Sequence, residues 1–220
     1  MNPRTLAALF VLTLSAGYAD AVAFFGLGTF TANMTGNTVL VGAALAGFAL
    51  KSIPAGGGAL AAFSVGWFAA GAIALSLASR TLADQGRVRA AAVILGTVLL
   101  LAAASLFHRD GLAAAWPCVA LLSAVMGMQS VVAVGMGVPG VSTVYVTGTI
   151  VTALRALTGA EPTATPAEGV VNLATWALYL GGAVAGAIAL HALGRDALWP
   201  VAGVIALLVP LAIRPRAVAP

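Results

Sequence analysis

Charged residues are widely spaced along this chain, and the stretches between them are almost wholly apolar: residues 5–19, 21–50, 52–79, 90–107, 111–154, 169–194 and 197–213. A membrane-spanning helix needs about 20 predominantly apolar residues. Glycine and proline punctuation divides the stretches into eight hydrophobic elements, near 4–25, 30–50, 56–79, 89–107, 112–136, 142–158, 169–192 and 197–213. The loops are short and carry no soluble domain, linker or low-complexity tail. The pattern therefore predicts an all-α polytopic membrane protein in which residues 1–220 form a single integral membrane domain. The first stretch mimics a secretory signal, with Arg4, an apolar run and then Ala19-Asp20-Ala21. Because the apolar run resumes at Val22, it is expected to be a first membrane helix.

Composition strengthens this reading. Hydrophobic residues make up 61% of the chain and charged residues 7%, with a mean hydropathy of +1.07. Ordinary soluble domains carry roughly 25% charged residues, so the polar surface here is too small to face water. The net charge of +4 comes from ten basic residues scattered singly, which form no patch able to track phosphates, and nucleic acid is excluded as a partner. The lone Cys118 sits in an apolar run, which excludes an internal disulfide, a Cys-rich zinc site and a CxxC motif. Neither a cofactor nor a metal is expected.

The two halves resemble each other in order. Gly17-Tyr18-Ala19-Asp20 matches Gly127-Met128-Gln129-Ser130 at an offset of 110 residues, and Thr31 to Asn37 matches Thr143 to Thr149 at 112. Ala70-Gly71-Ala72-Ile73 matches Ala185-Gly186-Ala187-Ile188 at 115. The repeat thus relates residues 4–107 to 112–213. If all eight elements cross, the basic residues divide six to four between the two faces. If the second and sixth enter and return on one side, Arg4, Arg80, Arg87, Arg89, Arg155, Arg214 and Arg216 lie inside against Lys51, Arg109 and Arg195 outside. The second arrangement predicts two inverted structural repeats, each with three full transmembrane helices and one broken strand/half-helix element.

The second and sixth elements differ chemically from the rest. Thr29, Thr31, Asn33, Thr35, Asn37 and Thr38 crowd the former, and Ser142, Thr143, Tyr145, Thr147, Thr149 and Thr152 the latter. Residues 141–146 alternate in a strand-like way, and residues 30–34 do so more weakly. The expectation is an extended segment leading, near Gly36 and near Gly148, into a half-length helix. Extended backbone at membrane depth is tolerated only where protein or a watery cavity satisfies it. Two such segments could pair at the midplane and aim helix N-termini at one small volume suited to an anion or a carboxylate-bearing solute. The candidate solute-binding residues are Asp20, Thr31, Asn33, Thr35, Gly36, Asn37, Gln129, Ser130, Thr143, Tyr145, Thr147, Gly148 and Thr149.

Asp20 lies deep in the first apolar element, where a charge costs several kcal/mol unless it meets a cavity or a partner. Its place in the second half is taken by Ser130, beside Gln129. Two kinds of role fit it: a functional one, taking up a proton or holding a cation, and a structural one, capping backbone N–H groups of the broken element or sitting at the interfacial end of its helix. Arg80 and Arg195 read as helix-end anchors, His108 and His191 as helix-end residues without a ligand-spaced companion, and Tyr18 and Tyr179 as packing or interfacial residues.

Gly17-Tyr18-Ala19-Asp20-Ala21, followed by Phe30-Thr31-Ala32-Asn33-Met34-Thr35-Gly36-Asn37-Thr38 and, in the second half, by Gly127-Met128-Gln129 and Val146-Thr147-Gly148-Thr149, resembles the YoaK family of bacterial multi-pass membrane proteins along essentially the whole chain. That family often has Asn where this chain has Ser130. The resemblance implies a plasma-membrane (inner-membrane) location and supplies no substrate. A fold-level analogy runs to the uracil-permease and sulfate-permease transporters, whose strand-helix elements face each other across a central site. A small-solute transporter or channel, for an anion or carboxylate-bearing solute and with Asp20 offering proton coupling, accounts for the repeat, the broken elements and Asp20 together. The alternatives are a membrane structural or assembly protein and, with less support, an intramembrane enzyme using Ser123 or Ser130 with His191. The expected partners are the lipid bilayer and a small solute or ion, and a homo-oligomer is compatible with the small-residue helix faces.

Overall fold

The computed structural model describes residues 3–48, 57–81, 85–109, 112–136, 146–160 and 164–207. They form helices α1 (Pro3–Leu27), α2 (Met34–Leu45), α3 (Gly57–Thr81), α4 (Gln85–Phe107), α5 (Leu112–Val134), α6 (Val146–Leu157), α7 (Pro166–Leu193) and α8 (Trp199–Ala206), with a 3-10 turn at Gly194–Asp196. Eight helices thus stand where eight apolar elements were expected. No strand occurs among the described residues, and the strand-like segment before α2 is irregular backbone at positions 28–33. Its counterpart at 137–145 lies outside the described residues.

Among the described residues five helices, α1, α3, α4, α5 and α7, are long and apolar enough to cross a membrane. The described part of α8 is eight residues, shorter than a span, so the third full crossing expected of the second half is not among the described residues. α2 begins at Met34, two residues before Gly36, and α6 is already helical at Val146, the first described residue after 136, so Thr35 and Thr147 are helical rather than extended. The earlier start of α2 has a local cause, since the Asn33 side chain accepts from the Gly36 N–H at 3.1 Å and caps the helix. The N-terminus of α7 is set by a capping box in which the Thr165 and Glu168 side chains each accept the other's backbone N–H, with Pro166 in the first turn.

Two helices occupy the centre. In α1 and α5, 67% of the apolar window is buried, against 28% in α3, 33% in α4 and 17% in α7, whose outer faces show Ile73, Leu77, Ile94, Val98, Val184 and Ile188. Such exposed aliphatic faces fit lipid as the surrounding solvent.

Glycines set the two tightest crossings. A Cβ on Gly17 of α1 would stand 2.0 Å from the Tyr179 carbonyl oxygen of α7, and one on Gly182 would stand 2.0 Å from the Leu14 oxygen. In α5 and α3, a Cβ on Gly127 would stand 2.1 Å from the Phe68 oxygen, and one on Gly71 would stand 2.1 Å from the Ala124 oxygen. The crossings match residue for residue, with α5 offset from α1 by 110 and α7 from α3 by 111. Packing therefore pairs Gly71 with Gly182, and the sequence match of Gly71 to Gly186 is out of register by one turn. The ends of α2 and α6 match as well, at an offset of 112. Gly47 and Gly159 both take positive φ, at 76° and 72°, and the residue after each donates its N–H to the oxygen of Ala43 and of Arg155, respectively.

Contacts fix the helix directions. Leu14 meets Gly182, Tyr18 meets Gly186 and Gly26 meets Leu190, so α1 and α7 run parallel. Phe63 packs on Trp116 and Ala72 on Gly127, so α3 and α5 are parallel too. Leu12 meets Gln129 and Leu9 packs with Ala133, so α1 is antiparallel to α5. Ala103 meets Cys118 and Gly96 meets Val125, making α4 antiparallel to α5. Cys118 is fully buried in that interface. Asn37 meets Ser64 and Ala44 meets Gly58, making α2 antiparallel to α3.

A side chain at either crossing glycine must push two backbones apart, and overpacking of this kind typically costs about 1–3 kcal/mol. Gly17→Ala and Gly127→Ala are each expected to lower the thermal unfolding midpoint in detergent. Gly66→Ala, where nothing lies within 4 Å, should raise stability by roughly 0.5–1 kcal/mol through helix propensity alone.

Candidate functional site

The site is built where the chain reverses after α1. Gly28, with φ 77°, ends the helix by donating its N–H to the Phe24 oxygen at 2.9 Å, a left-handed conformation that glycine adopts without steric cost. The backbone then doubles back along α1 until Thr31, Ala32 and Asn33 reach the level of Asp20. Asp20 lies seven residues before the end of α1, a distance of roughly 10 Å at the helical rise. Because α2 then runs in the same direction as α1, the segment and the half-helix together enter and leave on one side.

Asp20 is buried and holds the reversal in place. Its Oδ1 accepts the N–H groups of Thr31 and Ala32, both at 2.7 Å, and the Thr31 hydroxyl at 3.3 Å. Its Oδ2 accepts the Asn33 N–H at 2.9 Å and the Tyr179 hydroxyl of α7 at 2.5 Å. A carboxylate offers about four lone-pair sites, so five donors fill it. That geometry realises the capping role of Asp20 and leaves no lone pair directed at a bound cation.

A second cluster grips the same segment from the other side. Asn37, fully buried, accepts the Phe30 N–H at 2.9 Å and the Thr29 hydroxyl at 3.0 Å through Oδ1. Its Nδ2 donates to the Phe30 oxygen at 2.8 Å and to Ser64 Oγ at 3.0 Å. Ser64 gives its own proton to the Phe30 oxygen at 2.7 Å, so Ser123 of α5 is the donor in the 2.8 Å bond between the two serines. Thus α1 and α7 hold residues 31–33, while α2, α3 and α5 hold residues 29 and 30. Side chains of α1, α2 and α3 thus satisfy the N–H groups of residues 30–33 and the Phe30 carbonyl, which lipid would leave without partners, while Tyr179 of α7 and Ser123 of α5 bond to Asp20 and Ser64 behind them.

Among the expected solute-binding residues, Asp20, Thr31, Asn33 and Asn37 are brought together and bonded to one another's segment. Gly36 does not open onto a free volume, because a Cβ there would stand 2.7 Å from the Phe30 ring, which itself stacks on Phe24 at 4.4 Å between centroids. Thr35 is exposed on α2. Gln129 is buried and donates to the Leu12 oxygen at 2.7 Å beside a cavity of about 30 Å³ lined by Leu12, Gly96, Val125, Met128 and Ile205. A space of that size holds a water or two and excludes an organic solute. Ser130 turns back to the Met126 oxygen at 2.8 Å. Thr147 and Gly148 are exposed at the start of α6 and Thr149 is buried, whereas Thr143 and Tyr145 lie outside the described residues, as does any pairing of the two extended segments.

Tyr179 and Ser64 are site residues that the sequence reading missed. Tyr18, also read as packing, donates its hydroxyl to the Ala197 oxygen at 2.7 Å. At the end of α4, His108 pairs with Asp196 at 2.8 Å, and Arg195 lies 5.5 Å from the Phe107 ring. Ser123 and Ser130 are both engaged as described and His191 is exposed in the last turn of α7, so no serine–histidine pair forms among them.

Five membrane-length helices and a polar reversal buried among them define a multi-pass helical membrane protein. The chain matches the family described as "Protein of unknown function (DUF1275)" over residues 8–211 and belongs to it. It is 32% identical over 152 residues to "UPF0700 transmembrane protein YoaK" of Bacillus subtilis (strain 168), an alignment covering 69% of this chain and 66% of that protein. The alignment thus spans just under two thirds of that relative's length. No solved structure matches the chain.

Replacing Asp20 by Asn leaves one acceptor oxygen and turns an NH2 donor toward backbone N–H groups. Asp20→Asn is therefore expected to destabilise the protein by roughly 1.5–3 kcal/mol, the range for a hydrogen bond to a charged group, as read from denaturation in detergent. An unchanged midpoint would contradict the five-donor arrangement.

Proposed function

We propose that the protein is a small-solute transporter or channel of the plasma membrane, built as two inverted repeats whose broken elements flank a central site. The observation that carries this reading is the reversal at residues 28–33. It takes irregular backbone roughly 10 Å back along α1, meets the short α2 there, and has a counterpart, α6, whose described residues 146–157 stand at the repeat offset from α2. Backbone of this kind at membrane depth needs a protein lining or a watery cavity, and transporters use it to form sites. The antiparallel course of α1 and α5, which occupy equivalent places in the two glycine crossings, supports an axis in the membrane plane. It also agrees with the seven-to-three division of basic residues.

The solute class is a small anion or a carboxylate-bearing molecule. In the first half the N–H groups of Thr31, Ala32 and Asn33 already hold a carboxylate, that of Asp20. In the second half the equivalent Ser130 is turned to its own helix, so no internal carboxylate is supplied from that position to the start of α6, where Thr147 and Gly148 are exposed. An incoming anion takes that role near Thr147, Gly148 and Thr149. The chemistry is binding and passage without bond making. Coupling to a proton would involve Asp20, whose uptake of one would turn an oxygen that now only accepts into a donor and weaken its hold on Asn33. A non-transporting assembly role is the second reading, favoured by the complete internal satisfaction of Asp20.

Purified protein in proteoliposomes is expected to admit one or more members of a panel of small carboxylates and inorganic anions above protein-free vesicles. Gly148→Leu should reduce that flux about tenfold or more, because a bulky side chain blocks approach to backbone N–H groups. Absence of flux for the whole panel, with and without a pH gradient, would favour the assembly role.

A further inference from the structure

The two glycine crossings give a residue-by-residue map between the halves, and the map exposes an asymmetry. Tyr179 corresponds to Phe68, since their carbonyl oxygens face Gly17 and Gly127 in the same way. Asp20 corresponds to Ser130, Ser123 to Thr13 and Ser64 to Thr175. In the first half's site all four groups reach across helices. Their counterparts do not: Ser130, Thr13 and Thr175 donate to oxygens four residues back on their own helices, at 2.8, 2.9 and 2.8 Å, and Phe68 has no hydroxyl. In each of these four mapped pairs, the member that reaches across helices serves the first broken element.

We propose that Tyr179 is a positioning residue that acts through Asp20 to fix the Thr31–Asn33 backbone, the wall that the first half gives the site. This deepens the transport reading and rests on it only for the word "site". The hydroxyl of Tyr179 reaches Asp20 from a helix 159 residues away, on the oxygen that also holds the Asn33 N–H. It fixes the carboxylate in the plane where the three N–H groups converge. Removing the hydroxyl leaves the α1–α7 glycine crossing intact, because that crossing is made by backbone atoms.

Amide hydrogen exchange of the full-length protein in nanodiscs tests this directly. Tyr179→Phe should speed exchange of the Thr31, Ala32 and Asn33 amides about tenfold, the scale of one hydrogen bond to a charged group. Amides at the α1–α7 crossing should be unchanged. In an Asp20→Asn background Tyr179→Phe should add nothing further, and Phe68→Tyr should leave residues 31–33 unaffected. Equal effects of Tyr179→Phe in both backgrounds, or none in either, would overturn the proposal. Should Asp20→Asn fail to fold, Tyr179→Leu serves in its place: it should speed exchange no more than Phe does, and a much larger effect would assign Tyr179 to packing alone. Failure of solute flux in wild-type proteoliposomes with the exchange pattern intact would remove the transport reading and leave the positioning role standing.

Discussion

Everything about this site depends on one constraint: a chain reversed inside an apolar layer must find partners for its peptide groups without water. An unpartnered N–H in hydrocarbon costs several kcal/mol. The three consecutive N–H groups of residues 31–33 converge, and only a group with several outward lone pairs can satisfy them together. Asp20 is that group. Its charge would be costly in lipid, and the converging N–H groups would be costly without it, so each removes the other's penalty. The serine and asparagine cluster around Phe30 does the same for the preceding peptide with neutral groups.

That local solution requires close helices. Tyr179 reaches Asp20, and Ser64 reaches Ser123, only because Gly17 and Gly182 in one crossing, and Gly127 and Gly71 in the other, let the backbones approach to near contact. The order of causes therefore runs from glycine spacing to helix approach, from approach to the reach of hydroxyl groups, and from those hydroxyls to a fixed reversal roughly 10 Å back from the end of α1. The 12-residue α2 starts where it does because the reversal ends there, and Asn33 caps it.

Much of this was legible in the sequence, because membrane helices announce themselves by apolar length and glycine ends. The elements near 56–79, 89–107 and 112–136 are realised within a few residues as α3, α4 and α5. The polar crowding of residues 29–38 also marked the reversal correctly. Three things were hidden, for physical reasons. Tyr179 carries no local signal, since its partner lies on a distant helix and an isolated tyrosine in an apolar run reads as packing. The register of the repeat slipped in α7 because Gly182 and Gly186 lie one turn apart on the same face, so either can align with Gly71 by sequence while only Gly182 occupies the crossing. The start of α2 falls two residues before Gly36: the sequence draws attention to the glycine, whereas the Asn33 side chain before it sets the first turn.

In the proposed arrangement the two halves carry the same element in opposite orientation, with α2 ending on one face of the membrane and α6 on the other. Single cysteines at Phe48 and Thr158, both exposed beyond the ends of α2 and α6, report this against a native Cys118 that is fully buried. A membrane-impermeant thiol reagent applied to right-side-out and to inverted membrane vesicles is expected to label Phe48→Cys from the outside and Thr158→Cys from the inside. Labelling of both from the same face would contradict the inverted arrangement and, with it, the account of a site shared between two opposed broken elements.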